Sequence, residues 1–236
     1  MKLIDLVIFD MAGTTVKDEK EVESCFWTAA EQTGLITTHE RIVSMMGWSK
    51  RLVFETLWKE QLVNISDREI SEKTDHSYKI FKEVLEHHYK SENVIPAEGC
   101  PEIFQFLKGL NIKIGLTTGF YREVTDIILH KLGWLPGNNQ QTVVDFTVAS
   151  DEVPLGRPYP YMIFKTMEAL RVQNVRHVIK IGDTPSDLGE GKNAGCAFSF
   201  GVTNGTHTSQ QLSICENDGL FENLNEFQQF LNEYLE

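Results

Sequence analysis

Asp10 closes a short apolar run, Leu6-Val7-Ile8-Phe9, and is followed by Met11-Ala12-Gly13-Thr14-Thr15. An acid at the end of such a run, beside a turn-forming glycine and two hydroxyls, suits the handling of an anion or a metal. Read alone, it serves equally well as a helix cap. A second acidic turn tips the balance. His177-Val178-Ile179-Lys180-Ile181 is another apolar run, and it ends in Gly182-Asp183-Thr184-Pro185-Ser186-Asp187. If both runs are strands of one parallel sheet, their carboxylates converge. Converging like charges repel and call for a cation. Oxygen donors without a Cys or His cluster favour Mg²⁺ over zinc.

The elements that must position these groups follow from the periodicity. Leu6 to Phe9 reads as a strand buried on both faces. From Val16 to Asn93 helical spacing takes over. Glu21 to Thr33 aligns Val22, Cys25, Phe26, Ala29 and Ala30 on one face, and Gly34 stops it. Helices are predicted over Thr38–Met46 and over Ser49–Leu62, the latter with Leu52, Val53, Thr56 and Leu57 on one face. Ser66-Asp67-Arg68-Glu69 opens as a capping box and leads a long polar helix to about Lys90. From Ile95 onward strands and helices alternate. Strands are expected over Ile112–Leu116, Val143–Ala149, His177–Ile181 and Ala197–Val202. Helices are expected from Pro101 to Gly109, Tyr121 to Leu132, Tyr161 to Leu170, Asp187 to Asn193 and Phe221 to Leu235, with a loop over Gly133–Gln141. The fold class is therefore α/β: a doubly wound, Rossmann-like parallel sheet carrying an inserted small α-helical domain. The expected division is a core of residues 1–15 and 96–236 and a helical cap of residues 16–95. Two adjacent crossings, near Thr15–Lys17 and Glu92–Pro96, would hinge the cap over the strand ends as a lid.

Composition narrows the partners. At 236 residues the chain can bury a full core. A net charge of −12 argues against nucleic acid and against an anionic membrane surface. The four cysteines are scattered with no CxxC, which speaks for reduced thiols in a cytoplasmic protein. No apolar run approaches membrane-spanning length, and the opening segment is too short and too acidic for a signal peptide. The expected partner is a small anionic substrate, and a homodimer stays open.

Taken together these segments resemble the haloacid dehalogenase superfamily. Its four motifs occur in order: Asp10-Met11-Ala12-Gly13-Thr14-Thr15, the strand-end Thr117-Thr118, the basic Arg157 in Gly156-Arg157-Pro158, and Gly182-Asp183 with Asp187. The superfamily's phosphatases carry a second Asp two residues after the nucleophile; here that position is Ala12. Ala12, Thr117-Thr118-Gly119, Gly156-Arg157-Pro158-Tyr159-Pro160 and Met46-Gly47-Trp48-Ser49-Lys50 are similar to motifs of its phosphonoacetaldehyde hydrolase branch. Three positions depart from that branch. Val53 stands for a His, Lys20 for a Cys and Phe120 for a Tyr.

The resemblance implies a Mg²⁺-dependent hydrolase that breaks a C–P bond in phosphonoacetaldehyde or a related phosphonate. Lys50 would form an iminium with the aldehyde, and Asp10 would attack phosphorus to give an aspartyl phosphate. Arg157 would stabilise the transferring oxygens. Ala12, Gly13, Thr14, Thr117, Thr118, Gly119, Met46 and Gly47 would surround the substrate. Asp10, the Ala12 carbonyl and Asp183 would ligate the metal, with Asp187 and Thr184 in support. Lys50 needs a depressed pKa, which burial beneath the lid would supply. An ester phosphatase of the same fold is the alternative reading, and a non-catalytic phospho-ligand binder the second.

Overall fold

Leu6, Val7, Ile8 and Phe9 are four consecutive apolar residues, and as strand β1 (Leu6–Phe9) all four are buried. In the computed structural model, which describes residues 4–136 and 143–235, β1 lies inside a six-stranded parallel sheet. The other strands are β2 (Lys113–Thr118), β3 (Phe146–Ala149), β4 (Val178–Gly182), β5 (Phe198–Val202) and β6 (Gly219–Phe221), in the order β3-β2-β1-β4-β5-β6. The strand alternation of β1 serves two cores: Val7 and Phe9 join one apolar cluster, Leu6 and Ile8 the other. The first is closed by α5 (Cys100–Gly109) and α10 (Leu224–Leu235), whose Phe104 and Phe227 rings meet Phe9 edge-on at 5.3 and 6.2 Å. Ile163 and Met167 of α7 (Tyr161–Leu170) and Ala194 of α8 (Pro185–Ala194) belong to the second. The chain therefore winds both ways from β1, and the crevice of such a sheet opens at its carboxyl end.

Between β1 and α5 come four helices: α1 (Glu21–Thr33), α2 (His39–Val43), α3 (Lys50–Gln61) and α4 (Asp67–Ser91). Phe26, Phe54 and Phe81 form a core of their own, with ring centroids 4.3 to 5.6 Å apart. The buried hydroxyl of Ser77 accepts from Trp58 Nε1 at 2.9 Å and donates to Thr33 at 2.9 Å. The two crossings to the sheet run side by side: Lys17 N donates to Ile95 O at 3.0 Å and Ala97 N to Thr15 O at 2.8 Å. The helices also lean on α6 (Arg122–Leu132), where Lys131 Nζ donates to the Lys90 and Glu92 carbonyls at 2.9 and 2.7 Å.

Several expectations are corrected. The buried face of α3 is Lys50, Val53, Phe54, Leu57 and Trp58, and Leu52 is exposed. The helix is rotated because two aromatic residues and the lysine stem outweigh Leu52 and Thr56 in burial. The expected helix over 38–46 is the shorter α2, capped by the Thr38 side chain. The helix expected from Phe221 begins at Leu224, because Gly219 to Phe221 pair with β5 as an edge strand. A strand of three residues carries too little periodicity to be read. A short helix, α9 (Ser209–Ser213), was likewise not expected. The strand expected from Val143 starts at Phe146. Of the loop expected over 133–141, residues 137–141 lie outside the described residues.

Candidate active site

Phe9 is level with Leu116 and with Ile181 in the sheet, so Asp10 emerges between Thr117 of β2 and Gly182 of β4. This places Asp10, Asp183 and Asp187 together, with one carboxylate oxygen from each lying within 4.8 Å of the other two. All three are buried. Thr184 caps α8 and accepts from Asp187 N at 3.3 Å, which fixes Asp187 in the first turn. Gly13, at φ +86, brings the backbone so close that a Cβ would strike the Asp183 carboxylate. Thr14 Oγ1 donates to Asp183 Oδ1 at 3.2 Å, and Thr206 N to Asp183 Oδ2 at 2.6 Å.

Beneath the carboxylates lie two fully desolvated cations. Arg157, 2 % exposed, reaches Asp10 Oδ1 at 2.5 Å and Asp187 Oδ1 at 3.0 Å through Nη1. Its Nε donates to Glu190 Oε2 at 3.1 Å and its Nη2 to Thr117 Oγ1 at 2.8 Å. Lys180 meets Asp187 at 2.8 Å, Glu190 at 3.4 Å and Thr117 at 3.2 Å. The two cations face four carboxylates, those of Asp10, Asp183, Asp187 and Glu190. Burial raises the pKa of Asp183 to about 7, and the charges of Asp10 and Asp187 add to the rise. Burial likewise raises Asp10, against the pull of Arg157. A divalent cation would balance the two uncompensated charges, and the oxygen-only donor set suits a hard one. The acidic cluster can therefore hold a metal ion. Asp187, held by both Arg157 and Lys180, would support it, while Asp10, paired with Arg157 through Oδ1 alone, and Asp183, paired with no cation among the described residues, would ligate it.

Lys50 approaches from the other side. In the first turn of α3 it sits at the head of the i, i+3, i+4, i+7 stripe with Val53, Phe54 and Leu57, and it is 5 % exposed. Its Nζ lies 5.5 Å from the Phe26 ring centroid and 5.1 Å from that of Phe120. Burial lowers its pKa to about 8; Asp10 opposes that fall and Arg157 assists it. The loop before α3 seals this arrangement. Gly47 has φ +84, and a Cβ there would strike Ser186 Oγ and Thr184 Oγ1. Ser186 Oγ donates to Met46 O at 3.1 Å.

Asp10, Ala12, Met46, Gly47, Lys50, Thr118, Gly119 and Thr184 thus line one small cavity of about 20 Å³. Gly13, Thr14, Asp183 and Asp187 lie behind it, and Arg157 reaches Asp10 from below. Thr117 is a correction. Strand alternation turns its side chain away from the cavity, toward Arg157, Lys180 and Glu190, and Thr118 faces the pocket instead. Asp18, Val22, Phe120 and Thr206 line the same cavity and were not singled out as site residues. Lys180 and Glu190 were also missed. A lone lysine within an apolar strand is the signal that marks Lys180.

Residues 7–200 match the haloacid dehalogenase-like hydrolase family. A phosphonoacetaldehyde hydrolase of Bacillus cereus is 35 % identical over 234 residues, covering 91 % of this chain and 80 % of its own length. One of Bacillus mycoides is 32 % identical with the same coverage. Among solved structures, a phosphonoacetaldehyde hydrolase-like protein of Oleispira antarctica superposes with a TM-score of 0.81 at 19 % identity, covering 99 % of this chain and 92 % of that one. A hydrolase of Pseudomonas syringae gives 0.78 at 18 %, with 97 % and 98 % covered. The structural likenesses bear on the fold, and the sequence match on lineage. With three further carboxylates gathered around a strand-end aspartate on a doubly wound sheet, this chain belongs to the haloacid dehalogenase-like hydrolases.

Proposed function

We propose that the chain hydrolyses the C–P bond of phosphonoacetaldehyde or a closely related aldehyde phosphonate. The observation that carries this reading is the buried Lys50 amine in the same cavity as Asp10. With a pKa of about 8, roughly a tenth of it is neutral at pH 7, against about 0.03 % for an ordinary lysine. The relatives' names and Ala12 support the same chemistry.

In this reading Lys50 condenses with the aldehyde carbon, expelling its oxygen as water and leaving an iminium. Asp10 then attacks phosphorus. The C–P electron pair flows toward the iminium nitrogen and gives an enamine, so no acid is needed at position 12. Protonation of the enamine carbon and addition of water release the aldehyde and restore Lys50. Water next opens the aspartyl phosphate to inorganic phosphate. Arg157 holds Asp10 in place and, with Thr118, meets charge on the phosphoryl oxygens. Asp10, the Ala12 carbonyl and Asp183 would hold Mg²⁺, which supplies positive charge to the transferring phosphoryl group. Residues 16–95 act as a lid hinged at the paired crossings, shutting out water through Met46 and Gly47. Among the described residues no helix is long and apolar enough to cross a membrane.

The test combines phosphate release from phosphonoacetaldehyde and Mg²⁺ with borohydride trapping read by intact mass. Wild type should release phosphate and gain a reduced adduct; Lys50→Ala should do neither. Ester hydrolysis that survives in Lys50→Ala, with no adduct in wild type, would reassign the chain to the phosphatases.

A further inference from the structure

The cavity contains one ionisable side chain that these roles leave unused. Asp18 lies at the start of the helical insertion, half-buried, and lines the cavity beside Asp10 and Lys50. It also lines a neighbouring groove of about 490 Å³ together with Lys20, His39 and His207. It is therefore shared by the reacting chamber and the outer groove. Its Oδ1 accepts from the backbone amides of Glu21 at 2.8 Å and Val22 at 3.4 Å, which fixes the carboxyl at the head of α1. Asp10 also faces the amine but is taken up as the nucleophile, and the nearby Phe26, Phe120 and Val53 move no proton.

We propose that Asp18 is the proton carrier for Lys50 during imine formation and release, an inference that rests on the imine reading above. The two groups line the same cavity, and the exchange runs between them through a water held there beside the aldehyde. Asp18 as carboxylate takes a proton from the Lys50 ammonium. The free amine pair forms the C–N bond as the carbonyl π pair moves to oxygen. The adduct's N–H proton passes to that oxygen through the water, giving a carbinolamine. Asp18, now the acid, protonates the hydroxyl. The C–O bond breaks, water leaves, the nitrogen lone pair forms the iminium and the carboxylate is restored. Hydrolysis retraces these steps.

The charges around the pair suit this exchange. Glu21 and Cys25 of α1, Tyr89 of α4 and Asp183 face Asp18, and Asp10, Arg157 and Asp183 face Lys50. Burial and the carboxyl of Glu21 push Asp18 up to about 7, and facing carboxyls of this kind favour holding a proton. Lys50 at about 8 is then matched to within about tenfold, so the proton moves either way with little penalty.

The experiment compares wild type, Asp18→Asn and Asp18→Glu with phosphonoacetaldehyde and borohydride from pH 5 to 9, alongside melting temperatures. Asparagine keeps an oxygen for the Glu21 and Val22 amides, so a purely capping role leaves trapping unchanged. The proposal expects Asp18→Asn to melt like wild type, to trap the adduct about 100-fold more slowly and to lose the inflection that Asp18 gives the profile near pH 7, keeping only the acid-side fall due to Lys50 itself. Asp18→Glu should restore a measurable part of the rate. Wild-type trapping with an unaltered rate and profile in Asp18→Asn overturns the role of Asp18 and leaves the imine standing. No adduct in wild type overturns both.

Discussion

Replacing Lys50 by methionine should stabilise the protein while abolishing imine chemistry. The amine is buried against Phe26 and Phe120, and its pKa falls from 10.5 to about 8. At about 1.4 kcal/mol per tenfold change in the protonation equilibrium, holding the charged amine in the fold costs about 3 kcal/mol at neutral pH. The sign follows from proton binding. Between pH 8 and 10.5 the unfolded chain binds the proton and the folded chain does not, so wild-type stability rises with pH across that window. Below it the cost is constant. Methionine matches the stem in length and carries no charge. For a chain of this size, about 2–4 °C per kcal/mol predicts a melting temperature about 6–12 °C above wild type at pH 7. The gap should close as pH approaches 10.5. Thermal melts of both proteins at pH 7 and pH 10 decide the matter. A variant that melts at or below wild type at pH 7, or a gap that ignores pH, would refute the reasoning.

Removing the buried Lys180 strands Asp187 and Glu190 without one of their two cations, so Lys180→Met should cost about 3–5 kcal/mol by denaturant titration. Adding Glu190→Gln should recover part of that loss. Burial and neighbouring charge hold Asp183 at about 7, so Mg²⁺ must displace a proton below neutrality. Calorimetric Mg²⁺ affinity should therefore fall as pH drops from 7 to 5.5, and Asp183→Asn should abolish binding. At Gly47 a Cβ would strike Ser186 and Thr184, and φ +84 adds about 1–2 kcal/mol of backbone strain for alanine. Gly47→Ala should cut kcat/KM at least tenfold while leaving the far-ultraviolet spectrum unchanged.

Much of this molecule was legible along the chain because its signals are local. The Leu6–Phe9 run, the glycine turn behind Asp10 and the capped acidic turn at Thr184–Asp187 each declare themselves within a few residues. So do α1 and α4, whose periodicity and capping box are local features. Where the signal was weak or shared, the reading slipped. The three-residue β6 has no period of its own. The stripe of α3 admits two phases, and only packing against Phe26 and Phe81 selects the one that buries Lys50.

The order of motifs thus determined the sheet, the helical insertion, the nucleophile candidate and the acidic pair. Tertiary structure decided which side of each element faces the chemistry. Thr117 turns to the buried cations and Thr118 to the cavity, a choice that strand alternation leaves open until the sheet's neighbours are known. Lys180 of β4 and Arg157 both meet Glu190 of α8 only in the assembled fold. Asp18 reaches the cavity of Lys50 only when residues far apart in sequence close on each other. Burial is a property of the assembled fold. It is burial that turns an ordinary lysine and an ordinary aspartate into groups able to exchange a proton near neutral pH.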